Sequence, residues 1–510
     1  MNFLIALALG AASAFAFQPF AFWPLMILAF AGLCEIIGRA PNLKQALLLG
    51  WGFSVGQFVV GLNWIATAFT YQAAMPAWLG WVAVILLSFY LAVYPMLGVG
   101  LAWRYGRTHR IALILALAGG WAITEWLRGT MFTGFAWNPV GAALVDTPWR
   151  QSSATIGTYG LSALVVTAGG ILWLAYKRDL RPAAIGSVVL LATVLLPGAD
   201  LPSASRSTIR PPIRIVQPNI GQEDKWREGL AAEAAAKLER LSVGASPVPR
   251  LVLWPEVAVI EPMQVEDLDR RPLPLDLPAA SKAVRSINPG DLLVTGGLAL
   301  IADRNGQIVG NTNSVFALDS SARIGGRYDK AHLVPYGEYL PMRPLLSRIG
   351  LSQLAPGIGD TASGPGARTI DLGAPWGRMG LQICYEIIFS GEVLDRANRP
   401  DFLFNPSNDA WFGRWGPPQH LAQARLRAAE EGIPVIRSTP TGISAVVDAR
   451  GKLLASLPWR KAGVIDGQLP LPAAGLTFFA RFGNIVPLGL AFLLLFAAIA
   501  LARGPRYRQT

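Results

Sequence analysis

The chain has 510 residues, of which 52% are hydrophobic and only 15% are charged. Soluble globular domains carry about 25% charged residues, so this composition excludes an ordinary soluble enzyme. The high hydrophobicity also excludes a disordered chain. The formal net charge is +12, but many Lys and Arg residues flank apolar runs instead of forming one cluster. This distribution is typical of membrane proteins and argues against a nucleic-acid-binding surface.

Apolar stretches dominate the first two hundred residues and return near the C-terminus. About 20 apolar helical residues cross the hydrocarbon core of a bilayer. We predict membrane spans near residues 3–18, 20–38, 45–70, 77–101, 110–127, 155–176, 182–197 and 482–502. The first stretch resembles a signal peptide but lacks a basic start, so we expect an uncleaved helix.

These stretches divide the chain into three predicted parts. Residues 1–203 form a membrane domain with about seven transmembrane helices, and residues 204–472 form a polar insert. Residues 473–510 form a last transmembrane helix and a basic tail.

Lys and Arg residues are unevenly distributed between the loops of the predicted membrane domain. The richer loops and the tail contain Arg39, Lys44, Arg104, Arg107, Arg110, Lys177, Arg178, Arg181, Arg503, Arg506 and Arg508. The loops predicted on the opposite side of the membrane contain only Arg128 and Arg150. By the positive-inside rule, we expect both termini in the cytoplasm and the polar insert on the other side of the membrane, in the periplasm or its equivalent. Glu125 and Arg128 lie three residues apart on one predicted helix, and we expect them to pair.

The insert alternates short apolar runs with helical stretches. Strands are predicted at residues 213–220, 250–259, 291–300, 313–320, 378–386, 401–408, 433–440 and 444–450, and helices at 229–244 and 418–432. The nearly continuous apolar strands favour sheets buried on both faces and an α/β layered domain. Three histidines are too few for a histidine-based metal site. Cys34 and Cys384 lie in different predicted compartments, so no disulfide between them is predicted.

Three positions in the insert are compatible with catalysis. Cys384 ends an apolar strand, where a nucleophile is exposed and following amides can bind an oxyanion; a buried structural cysteine is the alternative. Glu256 follows the run LVLWP and suits a partly desolvated general base, although a loop carboxylate is the commoner explanation. Lys330 can stabilise an oxyanion and lower the pKa of a thiol, although most isolated lysines are solvated.

Together, these residues and their contexts resemble the nitrilase superfamily. The motifs are WPE around Glu256, YDKAHLVPYGEYLP with Lys330 and Glu338, and ICYE with Cys384. That superfamily has α-β-β-α sandwiches with a Glu-Lys-Cys triad for amide or ester chemistry. With the predicted spans, the whole chain is similar to the membrane-embedded apolipoprotein N-acyltransferases. The resemblance implies a multi-span α-helical membrane domain joined to an α/β nitrilase-like α-β-β-α sandwich.

The resemblance also implies roles for individual residues. Glu256 is the expected general base, Lys330 the oxyanion-stabilising lysine, and Cys384 the nucleophile that carries the acyl group. The expected supporting or substrate-binding residues are Trp226, Glu338, Tyr385, Glu386, Asn408, Asp409 and Trp411. Tyr385 is also expected to offer its backbone amide to the oxyanion. The positions expected to be mainly structural are Arg425, Glu430 and Arg437. No cofactor and no metal are expected.

The implied reaction is a ping-pong acyl transfer. A phospholipid donates its sn-1 acyl chain to the cysteine as a thioester, and the α-amine of the diacylglyceryl-cysteine of an apolipoprotein accepts it. The product is a triacylated lipoprotein. Both partners lie in the bilayer, and we expect the loops 335–354 and 411–418 at its interface. Nothing in the sequence requires more than a monomer.

Two other functions stay open from the residues themselves. One is a membrane-tethered hydrolase of small amides or nitriles, in which water replaces the amine. The other is a transporter with an outer regulatory domain. Transporters usually carry internal repeats or polar residues within their spans, and this sequence offers few such residues and no visible repeat.

Overall fold

The N-terminal part of the molecule is helical. The computed structural model describes residues 1–71, 76–198, 210–222, 230–244, 246–275, 277–346, 348 and 360–503. The helices are α1 (Asn2–Ser13), α2 (Pro24–Gly38), α3 (Leu43–Gly61), α4 (Ile65–Ala68), α5 (Leu79–Leu91), α6 (Val93–Gly106), α7 (Arg110–Thr130), α8 (Ser153–Tyr176) and α9 (Leu180–Ala192). Each of the seven apolar stretches predicted in this part of the chain contains a helix.

Four helical stretches among the described residues are long and apolar enough to cross a membrane. They are Leu79–Gly106, Arg110–Thr130, Pro148–Tyr176 and, near the C-terminus, Ile485–Arg503. Three further apolar helices are shorter, at Asn2–Ala16, Pro24–Gly38 and Leu180–Leu195. The predicted spans therefore coincide with helices, four of which have the length and hydropathy of a complete crossing.

An irregular segment, residues 131–152, joins α7 to α8 and is held by two charged residues of α7. The carboxylate of Glu125 accepts hydrogen bonds from the Val140 N–H (2.8 Å) and the Ser162 hydroxyl (2.5 Å). The guanidinium of Arg128 donates to the backbone carbonyls of Phe135 (2.7 Å) and Trp137 (2.9 Å). The expected ion pair between Glu125 and Arg128 is not formed. The two side chains instead bind separate groups, and these hydrogen bonds fix the segment 131–152.

Within the described residues, the second part contains thirteen strands in two sheets. The strands are β1 (Pro212–Gln217), β2 (Leu251–Leu253), β3 (Pro262–Glu266), β4 (Leu292–Ala302), β5 (Ile308–Asp319), β6 (Ile324–Asp329), β7 (Thr369–Asp371), β8 (Arg378–Leu381), β9 (Phe402–Pro406), β10 (Val435–Ser438), β11 (Ala445–Val447), β12 (Leu453–Ser456) and β13 (Gly463–Gln468). The first sheet has the order β13-β1-β2-β4-β5-β6, with β3 also paired to β4, and the second has the order β12-β11-β10-β9-β8-β7.

The sheets pack face to face and helices cover their outer faces. The remaining helices are α10 (Leu230–Ser242), α11 (Pro278–Ala283), α12 (Arg343–Leu346), α13 (Gly416–Glu431), α14 (Phe478–Phe482) and α15 (Ile485–Arg503). Helices α10 and α11 pack on the first sheet, and α13 packs on the second. This arrangement confirms the predicted α-β-β-α sandwich.

Alternation along the strands explains why both faces of the first sheet are apolar. Leu251 and Leu253 of β2 contribute to the core between the sheets, whereas Val252 contributes to the core beneath α10 and α11. Successive side chains of a strand point to opposite faces, so an unbroken apolar run fills two cores at once.

Two predicted strands end much earlier than expected. We predict a strand over residues 250–259, but β2 ends at Leu253, and Val257 has a φ angle of 46° that no extended strand can accommodate. We predict a strand over residues 378–386, but β8 ends at Leu381 and a 3₁₀ helix occupies Cys384–Ile388. The backbone of Cys384 has a φ angle of 51°, which no extended strand can accommodate, so the chain turns at this residue.

Helix α13 lies between the second sheet and the N-terminal helices. The Oε1 atom of Glu430 accepts hydrogen bonds from the backbone N–H and the hydroxyl of Thr158 on α8, both at 2.6 Å. The indole N–H of Trp137 donates to the Oε1 atom of Gln419 at 2.8 Å. These buried contacts fix the carboxyl ends of β8 and β9 against the segment 131–152.

Candidate active site

Glu256 lies just after the end of β2, beside the part of β4 that extends past it. The Trp254 N–H donates to the carbonyl of Val294 at 2.9 Å, and the Gly296 N–H donates to the carbonyl of Pro255 at 3.2 Å. The chain therefore stays tied to β4 up to Glu256, whose side chain is buried. Its Oε1 atom accepts a hydrogen bond from Nδ2 of Asn313 at 2.7 Å.

Lys330 follows the last residue of β6. Its backbone N–H donates to the carbonyl of Asn313 at 2.9 Å, which continues the β5–β6 pairing by one residue. Its Nζ atom lies 2.9 Å from Oε1 of Glu338 and 3.5 Å from Oε1 of Glu256, and the residue is 2% exposed. Burial alone would lower the pKa of Lys330, but the carboxylates of Glu338 and Glu256 raise it above its ordinary value. The side chain is therefore a buried cation between two carboxylates.

Cys384 is buried at the turn that follows β8. Burial and the carboxylate of Glu256 raise the pKa of the Cys384 thiol well above its ordinary value, while Lys330 and a hydrogen bond from the Asn408 backbone N–H oppose this rise. Lys330 thus lowers the pKa of the thiol, as expected, but the effects of burial and Glu256 are larger. At neutral pH the thiol is protonated, so it needs a base before it can attack a carbonyl.

Glu386 connects the loops that carry Cys384 and Lys330. Its carboxylate accepts the backbone N–H groups of Ile383 (2.6 Å), Ala331 (2.7 Å) and His332 (2.9 Å). It also accepts the Tyr328 hydroxyl at 2.9 Å. Burial raises the pKa of Glu386 to about 7, against these donors and the charge of Lys330, which favour the ionised form. Glu386 therefore fixes the relative positions of the two loops.

Asn313 was not singled out from the sequence. Its Nδ2 atom donates to Glu256 at 2.7 Å and lies 3.1 Å from Oε1 of Glu338, so one amide separates the two carboxylates that face Lys330. In the sequence it lies within the polar run Asn311–Ser314 of β5, so nothing distinguishes it from its neighbours. Its partners lie on other elements, which no local pattern reveals.

Asn408 and Tyr385 both lie at the site of Cys384. Asn408 contacts the thiol with its backbone, whereas the Tyr385 side chain points away towards the N-terminal part. Nδ2 of Asn408 donates to Oε1 of Gln222 at 2.9 Å, and its backbone N–H bonds the thiol. The Tyr385 hydroxyl donates to the carbonyl of Gly134 at 3.3 Å, so its ring packs towards the segment 131–152. Trp226 lies outside the described residues.

The loop 411–418 contacts aromatic residues of the N-terminal helices. Trp411 meets Tyr71 edge-on with ring centroids 5.8 Å apart, and Trp415 meets Phe20 at 5.1 Å. The loop 335–354 is only partly described. It begins beside a cavity of about 520 Å³ whose wall includes Ala331 and His332, the two residues after Lys330, together with Thr130 and Phe132 at the end of α7.

The residues expected to be structural lie behind the site. Asp409 and Arg437 are fully buried and form an ion pair at 2.6 Å. Glu430 pairs with Arg427 at 2.7 Å, and Arg425 pairs with Asp146 at 2.6 Å. Within the described parts of the chain, no group of three or more His, Cys, Asp or Glu is arranged to hold a metal ion.

A buried thiol, a carboxylate and an ammonium in one site can perform nucleophilic acyl chemistry. This is the site of a carbon-nitrogen hydrolase fold, and residues 213–477 match the Carbon-nitrogen hydrolase family model. Residues 9–171 match the model of the Apolipoprotein N-acyltransferase N-terminal domain.

Full-length relatives carry the same two parts. The apolipoprotein N-acyltransferase of Rhodopseudomonas palustris is 34% identical over 98% of this chain and 95% of its own length. That of Bradyrhizobium diazoefficiens is 36% identical over 96% of this chain and 94% of its own length. The structure of Nit3 from Saccharomyces cerevisiae, a nitrilase-superfamily protein, covers 52% of this chain with 21% identity and a TM-score of 0.38. The chain belongs to the apolipoprotein N-acyltransferase family.

Proposed function

We propose that this protein transfers an acyl chain from the sn-1 position of a phospholipid, through a thioester at Cys384, to the α-amine of the diacylglyceryl-cysteine of an apolipoprotein. The observation that carries the proposal is the buried contact of Lys330 with Glu256 and Glu338 beside a protonated thiol. The names of the relatives support lipoprotein N-acylation as the overall reaction.

In the first half-reaction, Glu256 takes the proton of Cys384 and the thiolate attacks the ester carbonyl. The electron pair of the C=O bond moves to the oxygen, where the Lys330 ammonium and a backbone N–H stabilise it. When the C=O bond re-forms, the ester C–O bond breaks. Glu256 returns its proton to the departing lysophospholipid oxygen, and a thioester is left on Cys384.

In the second half-reaction, the α-amine of the acceptor attacks the thioester. Its pKa is near 8, so at neutral pH it arrives mostly charged and must first lose a proton. Glu256 accepts that proton and later releases it to solvent. The C–N bond forms, the C–S bond breaks, and the second proton of the nitrogen passes to the departing Cys384 thiolate, which leaves an amide and restores the thiol.

The proposed topology has residues 1–203 and 473–510 as membrane parts and residues 204–472 as a periplasmic catalytic domain of an inner-membrane protein. The basic loops between the predicted spans support this orientation. The contacts of the loop 411–418 with Tyr71 and Phe20 support a site close to the lipid surface. Acyl chains that stay in the bilayer can then reach the thiol.

The cavity beside Lys330 supports access for a lipid-linked substrate. Its wall combines Thr130 of α7 and Phe132 of the segment 131–152 with the loop that follows Lys330, so it opens between the two parts of the molecule. Phe132 is 82% exposed, which is unusual for a phenylalanine outside a lipid-facing surface.

Intact-protein mass spectrometry after incubation with phospholipid, without acceptor, tests the proposal. We expect the mass of one acyl chain on the wild type and its loss when a diacylated lipopeptide is added. Cys384→Ala should gain no mass, whereas Cys34→Ala, which changes the cysteine buried in α2, should behave as the wild type. An intact phospholipid pool and no adduct on the wild type would contradict the proposal and favour hydrolysis of a small amide.

A further inference from the structure

The backbone carbonyl of Cys384 is held by two side chains. Nε2 of His420 lies 3.0 Å from this oxygen, and Nδ2 of Asn405 donates to it at 3.4 Å. The same planar peptide unit contains the N–H of Tyr385, which points in the opposite direction in a trans peptide. Any group that fixes the Cys384 carbonyl therefore also fixes the direction of the Tyr385 N–H.

The Tyr385 N–H is available for such a role. It lies in the first turn of the 3₁₀ helix Cys384–Ile388, where backbone N–H groups have no carbonyl partner within the helix. It directly follows the thiol-bearing residue, whose positive φ turns the chain at this point.

Arg437 orients both side chains. Its Nη1 atom donates to Oδ1 of Asn405, which turns the amide nitrogen of Asn405 towards the carbonyls of Gln382 (2.6 Å) and Cys384. Its Nη2 atom lies 2.9 Å from Nδ1 of His420. The same Nδ1 atom lies 3.0 Å from Oδ1 of Asp409, so its surroundings do not decide the tautomer by themselves. The carbonyl of Cys384 can only accept, however, so its hydrogen bond with Nε2 requires that this nitrogen carry a proton.

The environment of His420 agrees with this tautomer. Burial and the neighbouring Arg437 lower the pKa of His420, so the ring is neutral at physiological pH. Asp409 accepts Nη2 of Arg437 through both carboxylate oxygens, at 2.6 and 2.7 Å, and compensates its charge. Asp409, His420 and Arg437 are all fully buried.

We propose that Arg437, through His420 and Asn405, positions the Cys384–Tyr385 peptide so that its N–H is the backbone donor to the oxyanion. The inference rests on the proposed acyl transfer and on the Tyr385 amide that the family resemblance implies as an oxyanion donor. It adds the side chains that hold this amide in place. Two hydrogen bonds to the carbonyl also polarise the peptide and strengthen its N–H as a donor. His420, Asn405 and Arg437 are positioning residues, since none of them needs to touch the substrate.

Two reactions at the same sulfur test the inference on the full-length protein in detergent. Alkylation of Cys384 by iodoacetamide needs the thiolate but forms no oxyanion, whereas acylation by phospholipid or by a p-nitrophenyl ester forms one. His420→Leu removes the donor to the carbonyl, and we expect acylation to slow by about 10²-fold while alkylation is unchanged. His420→Gln, which can present a side-chain N–H near the position of Nε2, should recover most of the acylation rate.

Asn405→Ala provides a second variant should His420→Leu fold poorly. It removes the other donor and should likewise slow acylation without slowing alkylation. The inference is overturned by acylation of His420→Leu at the wild-type rate, by an equal loss of both reactions, or by His420→Gln being as slow as His420→Leu. If the wild type is acylated by the p-nitrophenyl ester but not by phospholipid, phospholipid is not the acyl donor. The ester then still tests whether His420 and Asn405 position the Cys384–Tyr385 peptide.

Discussion

Gly296 of β4 lies directly against the backbone of Glu256. A Cβ atom at Gly296 would fall 2.8 Å from the Cα atom of Glu256 and 2.4 Å from the backbone nitrogen of Val257. Both neighbours are main-chain atoms held to β4 by hydrogen bonds, so neither can rotate away. The site therefore depends on a missing side chain as much as on those that are present.

Gly296→Ala should displace Glu256 and slow the acylation of Cys384 by about 10²-fold, as expected when a general base loses its position. Gly297→Ala is the matched control, because a Cβ atom there would meet the flexible side chain of Met263 at 2.7 Å. We expect this control to retain nearly full activity. The two variants are compared by their rates of acyl-enzyme formation, measured by mass spectrometry. Equal rates would show that the contact between Gly296 and Glu256 does not position the carboxylate.

The two carboxylates around Lys330 should be separable by their pH dependence. Glu256→Gln removes the base and should slow acylation by about 10²–10⁴-fold at neutral pH. Its defect should shrink in alkaline buffer, where hydroxide can deprotonate the thiol.

Glu338→Gln keeps the base but removes the carboxylate 2.9 Å from the Lys330 ammonium. We expect a smaller loss of about tenfold that does not recover in alkaline buffer, since the lysine stays mispositioned. Acylation rates across a pH series measure both variants. Parallel pH profiles would show that the two carboxylates act on the same step in the same way.

Ionisation of Glu386 should lower the stability of the folded protein. Its pKa is raised from 4.5 to about 7, so between these values the folded protein binds a proton that the unfolded chain does not. Protonation therefore stabilises the fold as the pH falls through 7, by at most about 3 kcal/mol, and this contribution is lost as the pH rises again. In thermal unfolding in detergent, the stability of the wild type relative to that of Glu386→Gln should increase as the pH is lowered from about 8 to about 5. A pH-independent difference would contradict this assignment.

The buried contact between α8 and α13 should matter for stability. Glu430→Gln leaves Arg427 without its charge partner, although both side chains are almost fully buried, and should reduce the free energy of unfolding by about 3–5 kcal/mol. Thr158→Val removes only one hydroxyl from the same carboxylate and should reduce it by about 1 kcal/mol.

Thr155→Val is the control for α8, since its hydroxyl bonds the carbonyl of Pro197 at an exposed position. Thermal unfolding of the three variants in the same detergent gives the order of their stabilities. A Glu430→Gln variant as stable as Thr155→Val would mean that the ion pair does not hold the two helices together.

The sequence predicted the elements whose local pattern is strong. The strand runs before Glu256 and Cys384 lie at β2 and β8, and the helix at 418–432 is α13. In contrast, β6 (Ile324–Asp329) was not predicted, because its two glycines and two charged residues break the apolar pattern. This strand forms because β5 pairs with it over five residues.

The residues that organise the site are harder to predict than those proposed to perform the chemistry. Glu256, Lys330 and Cys384 stand in recognisable motifs, whereas Asn313 and His420 act through partners on distant elements. The sequence suggests only metal binding as a role to test for the three histidines, whereas the ring of His420 is a hydrogen-bond donor whose orientation depends on Arg437 and Asp409. That dependence arises from tertiary packing, which no single segment encodes.

The core between the two sheets continues into the N-terminal helices without a polar boundary. Phe58 and Leu62 from the N-terminal part belong to the same buried cluster as Ile383, Phe412 and Leu421 from the sandwich. The catalytic part is consequently not an interchangeable module. An engineer who wished to release it as a free-standing enzyme would have to redesign an entire apolar face. Evolution, too, can alter that face only by changing both sides of it together.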